Sequence, residues 1–455
     1  MNSSLIPVTN PSRRSFLRNA AAGGAGLLIL PSGTLLGMNK PSNRLNIALI
    51  GCWGRGKAHW PMIKDENVVA LCDVDERHLA LAAAEFPGAK LYKDWRKCLD
   101  QKDIDAVICA VPDHHHAHIS IWAMNRGYHI YGEKPLANTV EEARMVRETY
   151  LKNKHKLATQ CGTQRHEKPN FARVRELILD GAIGKLQQVH AWGNRTHDKT
   201  GYLPAAGNPP DFLDYDLWTG PSTMHPYNPG YFDNHEAKPG TGCLFWNMYR
   251  DFGNWQIGDM GSHVMDLAWN ALDADYPLTA EASGDPYNPE VAPSLMSSRW
   301  INPANDWRGE IMVSWQQGGP RPASPIEFVD LEKLGHGVLY KGSEGYLVTS
   351  FDQRILIPYG KGANMTYYDR RPEDALIPEL DGFHQQWIRA CKGDLKTSCN
   401  YDYAGIMIEQ LLLGMIAFDT GEKLEYDAQN MRFTNSEKAN QLIRKSYREG
   451  WPLNS

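Results

Sequence analysis

Between residues 45 and 161, short and nearly continuous apolar runs alternate with more polar stretches. Leu45–Gly51, Val68–Asp73, Ala106–Val111, His129–Glu133 and Lys156–Cys161 read as strands covered on both faces, since a half-exposed strand would alternate polar and apolar positions. The stretches between them include helical ones, Glu76–Glu85 and His116–Arg126. Repeated strand–helix units with right-handed crossovers predict a parallel, doubly wound sheet in an α/β domain.

The pattern changes after about residue 166. Phe171–Asp180 is one amphipathic helix ended by Gly181. Loops rich in Pro, Gly, Asn and aromatic residues run from Asn194 to Asn254, and loops of that length in a compact domain usually carry function. Glu310–Gln316, Ile326–Val329, Gly337–Lys341 and Tyr346–Ser350 predict an open, mostly antiparallel sheet in an α+β C-terminal domain. Two helices close the chain, His384–Cys391 and Tyr403–Thr420. The divisions expected are 1–40 (leader and linker), 41–165 (α/β domain) and 166–455 (substrate and oligomerisation domain).

Ser12-Arg13-Arg14-Ser15-Phe16-Leu17-Arg18 followed by the Gly/Ala-rich run Ala20–Leu30 has the form of a twin-arginine export signal. The run is too short to span a bilayer, and no other stretch reads as a span. The expected location is periplasmic or otherwise exported, with the twin-arginine machinery as a partner. A net charge of −5 gives no electrostatic case for nucleic acid. The eight cysteines contain no C-x-x-C pair. Cys52, Cys72, Cys109 and Cys161 fall in or beside buried strands, where a free thiol behaves as a small hydrophobe. Cys391 and Cys399 alone are placed to meet, across a Gly-containing turn, and the sequence leaves their pairing open.

The first strand–helix turn reads Gly51-Cys52-Trp53-Gly54-Arg55-Gly56. Glycine permits the tight turn, and amides at a helix start suit a pyrophosphate. Trp53 stands where a second fingerprint glycine is usual, which leaves the phosphate pose in question. Asp73, 22 residues after Gly51, can accept both ribose hydroxyls of NAD and would repel the 2′-phosphate of NADP. Glu133-Lys134-Pro135 ends a strand, where a lysine reaches the ligand crevice. In Asp259-Met260-Gly261-Ser262-His263, continued to Asp266, helical spacing would put Asp259, His263 and Asp266 on one face, pairing carboxylate and imidazole as a general base requires. In Pro112-Asp113-His114-His115-His116-Ala117-His118, Asp113 reads as a helix cap and the histidines as loop chemistry beside the cofactor. Metal readings of His114 with His118, or of Asp259 and His263 with His235, are weaker, and no metal is expected.

These signals, in this order, resemble the Gfo/Idh/MocA oxidoreductase family over about Arg44 to Asp427, with Gly162-Thr163-Gln164-Arg165 as a further matching piece. The resemblance implies a Rossmann domain with Gly51, Trp53, Gly54, Arg55, Gly56, Asp73, Pro112, His116, Glu133 and Lys134 at the cofactor, and a second domain whose open sheet forms a homo-oligomer interface. It implies that His263 takes a proton from a sugar hydroxyl while Lys134 stabilises the reacting oxygen and Asp259 tunes His263. Arg165, His166, Tyr231, Trp246, Tyr249, Arg250 and Asp251 are the expected sugar contacts. The implied activity is oxidation of a sugar or polyol with NAD, and export argues for tightly bound NAD that recycles internally. One alternative is an NAD-dependent glycosidase that oxidises, eliminates and re-reduces. A second is a non-catalytic sugar-binding protein on a decayed Rossmann fold, for which Trp53 is the best argument.

Overall fold

A computed structural model describes residues 43–454 apart from 233–241, 320, 328 and 361–370; the expected leader and His235 lie outside the described residues. Six parallel strands pair in the order β3-β2-β1-β4-β5-β6, where β1 is Asn46–Ile50, β2 Asn67–Cys72, β3 Lys90–Tyr92, β4 Ala106–Cys109, β5 His129–Gly132 and β6 Thr159–Cys161. β4 and β5 are buried along their whole length, which is why they read as unbroken apolar runs. β3 was not expected: it is a three-residue edge strand with an exposed, charged start. Helix Glu76–Glu85 begins where Asp75 accepts the Arg77 N–H at 2.9 Å, and helix Val140–Asn153 begins with a reciprocal Thr139–Glu142 cap. Strand order reverses between β1 and β4, which opens a crevice at the carboxyl ends of the strands.

The second sheet has nine strands in the order β13-β12-β11-β7-β10-β9-β8-β14-β15. They are β7 Leu186–Gly193, β8 Thr279–Gly284, β9 Met296–Asn302, β10 Ile311–Gln317, β11 His336–Gly342, β12 Gly345–Thr349, β13 Arg354–Pro358, β14 Leu424–Asp427 and β15 Arg432–Phe433. Only β7 and β10 pair in parallel. The strand expected over Ile326–Val329 is not formed by its described residues: the Val329 N–H meets the Ile326 carbonyl at 3.1 Å instead of a neighbouring strand. Val329 is apolar because it packs in a small cluster with Trp192, Leu339 and Ile357.

Helices Met260–Leu272 and Tyr401–Thr420 pack on this sheet. Among the described residues, Tyr401–Thr420 alone is long and apolar enough to cross a membrane, which the sequence reading overlooked. It is a core helix: 78% of its apolar window is buried, and Glu409 on it is bound by Arg144 at 2.7 and 2.9 Å.

The expected division at residue 165 is not clean in space. After β6 the chain leaves for the second sheet, and late segments supply the missing cover. The Cys399 carbonyl takes the Cys161 N–H at 2.8 Å, and His384 stacks on Tyr131 with ring centres 4.8 Å apart. Near the C-terminus, Trp451 packs on Trp95 at 5.8 Å. Cys391 and Cys399 are both free thiols, so no cross-link joins them.

Candidate active site

The crevice holds a cavity of about 450 Å³ whose floor is the ends of β1, β2, β4 and β5. At the end of β1, Gly51 adopts φ +83° and donates its N–H to the Cys72 carbonyl at 2.8 Å. A Cβ there would lie 2.3 Å from the Ala110 carbonyl oxygen, and one on Gly56 would lie 1.9 Å from that of Gly51. These two positions therefore require glycine, and the chain folds into a cradle of bare backbone. The helix that follows is short, a 3₁₀ turn Gly56–His59 and one α-turn Trp60–Ile63. Local amides, rather than a long helix dipole, face a phosphate here.

Trp53 stands beside the cradle. Its ring lies nearly parallel to His78 (5.6 Å, 14°), with the Lys57 ammonium 4.1 Å from its centre. It walls the cavity beside helix Glu76–Glu85. The Asp73 carboxylate takes the Cys52 N–H at 2.8 Å on one oxygen and the Asp75 N–H at 3.0 Å on the other. Each oxygen keeps a second lone pair, and Asp73 lines the cavity where a ribose would lie.

A segment of the long loop roofs the cavity. Leu213 forms an antiparallel bridge with Asp75. The Phe212 carbonyl takes the Glu76 N–H, and Asp214 N–H reaches the Val74 carbonyl, both at 2.9 Å. The Arg77 guanidinium lies 3.6 Å over the Phe212 ring. Further along, the Trp218 carbonyl meets Nε2 of His114 at 2.9 Å and of His115 at 2.8 Å. Those rings are spent on fixing the roof, and His118 packs on Tyr447 at 4.7 Å. His116 lies between the carbonyls of Pro135 (2.7 Å) and Val111 (2.8 Å), so it holds the Lys134–Pro135 turn against β4.

At the far end of the cavity Glu133 turns away and Lys134 turns in. Glu133 Oε1 accepts Arg55 Nε at 2.7 Å, and His59 Nε2 lies 3.1 Å from the same oxygen. Burial alone would raise the Glu133 carboxyl, but Arg55 foremost and then His59 outweigh it and hold the group well below its ordinary range. Lys134 Nζ donates to Asp259 Oδ1 at 2.5 Å, and Arg195 Nη1 donates to Asp259 Oδ2 at 2.8 Å. Burial works to neutralise Lys134, yet the Asp259 carboxylate outweighs it and raises the ammonium above its usual value. For Asp259, burial opposes ionisation and Lys134 and Arg195 enforce it.

The helical face expected for Asp259, His263 and Asp266 is not formed. Asp259 caps helix Met260–Leu272 with φ −77° and ψ −88°, outside the helical register, and its side chain turns back to the two cations. Asp266 bonds His166 Nδ1 at 2.9 Å and Tyr403 at 2.6 Å. His263 stands in the first turn of that helix, 5% exposed, with Nδ1 lacking a partner among the described residues. Burial pushes its pKa down to about 3, with Lys134 adding to the effect and Asp259 opposing it. The resting imidazole is neutral and able to accept a proton.

The expected sugar contacts divide. Arg165 is exposed, with its guanidinium 5.4 Å from the Phe351 ring. His166 is taken by Asp266. Trp246 lines the cofactor cavity. Tyr231 and Tyr249 are fully buried, Tyr231 accepting the Leu203 N–H at 2.8 Å, so they form core. Arg250 is engaged by Asp419 at 2.8 Å, and Asp251 by His225 at 2.7 Å. Sequence reasoning missed Arg195, Cys243 and Asp113 as site residues; Cys243 and Asp113 line the cavity close enough to Lys134 to affect its charge. Burial lifts the Asp113 carboxyl well above its usual range. Arg195 follows β7, a strand the pattern did not predict.

A bare glycine cradle, an aspartate at the end of β2 and a lysine–aspartate pair at opposite ends of one crevice define a dinucleotide-binding Rossmann architecture joined to a second sheet. Residues 45–160 match the model of the Gfo/Idh/MocA oxidoreductase family, an NAD-binding Rossmann fold. It is 33% identical over 236 residues to a levoglucosan dehydrogenase of Pseudarthrobacter phenanthrenivorans, covering 49% of this chain and 50% of that protein. To inositol 2-dehydrogenase 2 of Saccharopolyspora erythraea it is 31% identical over 165 residues, 35% of this chain and 47% of the other. The chain thus spans about half the length of these curated relatives. The fold is similar to that of the WlbA dehydrogenase from Bordetella pertussis, solved with NADH and UDP-GlcNAcA (TM-score 0.58, 16% identity, 84% of this chain and 99% of that one).

Proposed function

We propose that the protein is an exported oxidoreductase that uses tightly held NAD to oxidise a hydroxyl of a sugar or polyol. The observation that carries this reading is the Lys134–Asp259 pair at the nicotinamide end of the cavity, with neutral His263 one turn into the adjoining helix. Held by the Gly51–Gly56 cradle and Asp73, a nicotinamide dinucleotide would supply the acceptor for hydride from the carbon bearing the hydroxyl. His263 takes the hydroxyl proton, and Lys134 donates a hydrogen bond to the same oxygen as negative charge develops there. Asp259 fixes the ammonium in place and is itself held by Arg195. Both sugar-related dehydrogenases among the relatives agree with this substrate class. Self-association through the open second sheet is part of the proposal and is checked by light scattering.

Asp73 supports NAD over NADP, and the roof over Asp73 supports slow release. Protein denatured after extensive dialysis is expected to liberate close to one equivalent of NAD(H), identified by mass spectrometry. NADP in its place would refute the role of Asp73. A cofactor-free protein that binds no added NAD would refute the enzyme reading.

The same roof favours a second reading, in which the retained cofactor is reduced and reoxidised within each turnover during glycoside cleavage. Release of aglycone without net change in nicotinamide absorbance would establish it. Against the binding-protein alternative stand Lys134, Asp259 and His263 together, with Trp53 packing on His78 along the cavity wall.

Export is expected to depend on the arginine pair. Replacing Arg13 and Arg14 together by lysine should leave the protein folded in the cytoplasm, because the receptor reads the arginine pair. Fractionation that finds the double variant exported normally would exclude a twin-arginine route.

A further inference from the structure

We propose that the sugar is an acid of the uronate type, its carboxylate received by Arg165 and Arg195 beside the Lys134–Asp259 pair. The inference rests on the sugar oxidoreductase reading and names its substrate class.

The second sheet delivers its cations to one place. β11, β7 and β10 are neighbours, and Gly193 at the end of β7 stands in register with His336 on one side and Gln317 on the other. Arg195, Arg321 and His336 therefore leave the same edge of the sheet. Arg195 reaches back to Asp259 at 2.8 Å while its side chain stays 40% exposed. Arg165 comes from the first domain, on the 3₁₀ turn Gln164–Glu167 that packs against the helix carrying His263. Its exposed guanidinium has no hydrogen bond or carboxylate among the described residues, only the Phe351 ring.

Among the described residues, cations outnumber the carboxylates they bond. Lys134, Arg165, Arg195 and Arg321 make four cations and bond two carboxylates, Asp259 and Glu332, while burial raises the nearby Asp113 carboxyl. Asp259 is already shared by Lys134 and Arg195, and Glu332 is taken by Arg321. Glu133 is occupied by Arg55 and His59. The convergence is visible at His336: burial lowers its pKa to about 4, Arg195 adds to this against Asp259, and Arg165 and Arg321 add further. Arg165 also acts on His263, so the unpaired cation lies within electrostatic reach of the proton acceptor.

A cleft with excess charge of one sign draws ligands of the other, and its field weakens with salt. A neutral sugar would leave Arg165 without a carboxylate partner among the described residues. A carboxylate would compensate its charge, and the planar guanidinium fork matches a carboxylate in shape.

The test uses holoenzyme and three pairs of probes: glucuronate, galacturonate and mannuronate, each against its methyl ester, with affinity read by titration calorimetry at low and high salt. At least one acid is expected to bind about tenfold or more tightly than its ester at low salt. That margin should shrink at high salt, collapse in Arg165→Gln and be partly kept in Arg165→Lys. Esters that bind as tightly as the acids, an Arg165→Gln variant that keeps the full margin, or no acid bound at all would each overturn the proposal. Turnover is followed on the same samples. Acids bound through Arg165 but never oxidised would refute the oxidoreductase reading and leave this one standing. Faster oxidation of the neutral esters, with no preference in binding, would do the reverse.

Discussion

Replacing Lys134 or His263 by alanine is expected to lower turnover by roughly 10²–10⁴-fold with the fold and bound cofactor retained. Among the described residues, Lys134 is the only cation lining the cavity that also grips Asp259, so no described neighbour can place an ammonium on the reacting oxygen in its stead. The fold survives its loss because Asp259 keeps Arg195 at 2.8 Å, and a buried carboxylate that retains one charged partner is not orphaned. His263 has no partner on Nδ1 among the described residues, so its removal breaks no network on that side. Single-turnover absorbance measures the loss, and melting temperature with cofactor content measures what is kept. Near-normal turnover in either variant would remove that residue from the mechanism. Parallel loss of cofactor would show instead that the residue serves binding.

Acid is expected to unfold the protein from about pH 6 downwards. His115, His263 and His384 have pKa values pushed to about 3, and His118 and His129 to about 4, in each case chiefly by burial. In the unfolded chain such rings take protons near pH 6.5. The unfolded state therefore binds more protons than the native one throughout the interval between. Stability is complete above that interval and falls as pH drops through it, by up to about 1.4 kcal/mol per pH unit for each ring. His166 works in the opposite direction: burial disfavours its charge, but Asp266 outweighs that and raises it well above the ordinary value. His190 and His336 are likewise held to about 4, so with at least seven rings against one the melting temperature should be nearly level between pH 7 and 8 and drop steeply below pH 6. Calorimetric scans across this range decide it, and a melting temperature unchanged at pH 5 would contradict the buried neutral state of these histidines.

The first sheet was legible because parallel strands buried on both faces leave unbroken apolar runs, as β4 and β5 do. β3 escaped because an exposed three-residue edge has no such signature. β9 has the burial pattern of a half-exposed strand, but Ser297, Ser298 and Arg299 interrupt its apolar positions, and Ser298 is buried without being apolar. Asp73, Lys134 and His263 could be placed from local context. The union of Lys134 with Asp259 could not, since 125 residues separate them and the helical spacing drew attention to Asp259 and His263 instead. Tyr231 and Tyr249 show the same limit from the other side: aromatic rings in a long loop resemble sugar platforms, but these two are core.

The roof just past β2 bears on how a tightly held cofactor would be loaded. Residues 212–214 lie on the end of β2 as a short extra strand, although they are made long after the Rossmann strands are complete. The nucleotide seat is therefore open while the chain is young and becomes walled only when the later domain settles. A dinucleotide seated in that interval is enclosed by the folding of its own host. One arriving afterwards must wait for the bridge at Leu213 to part. Under the proposal that NAD is held tightly, loading belongs to the maturation of each molecule rather than to an equilibrium sampled throughout its working life.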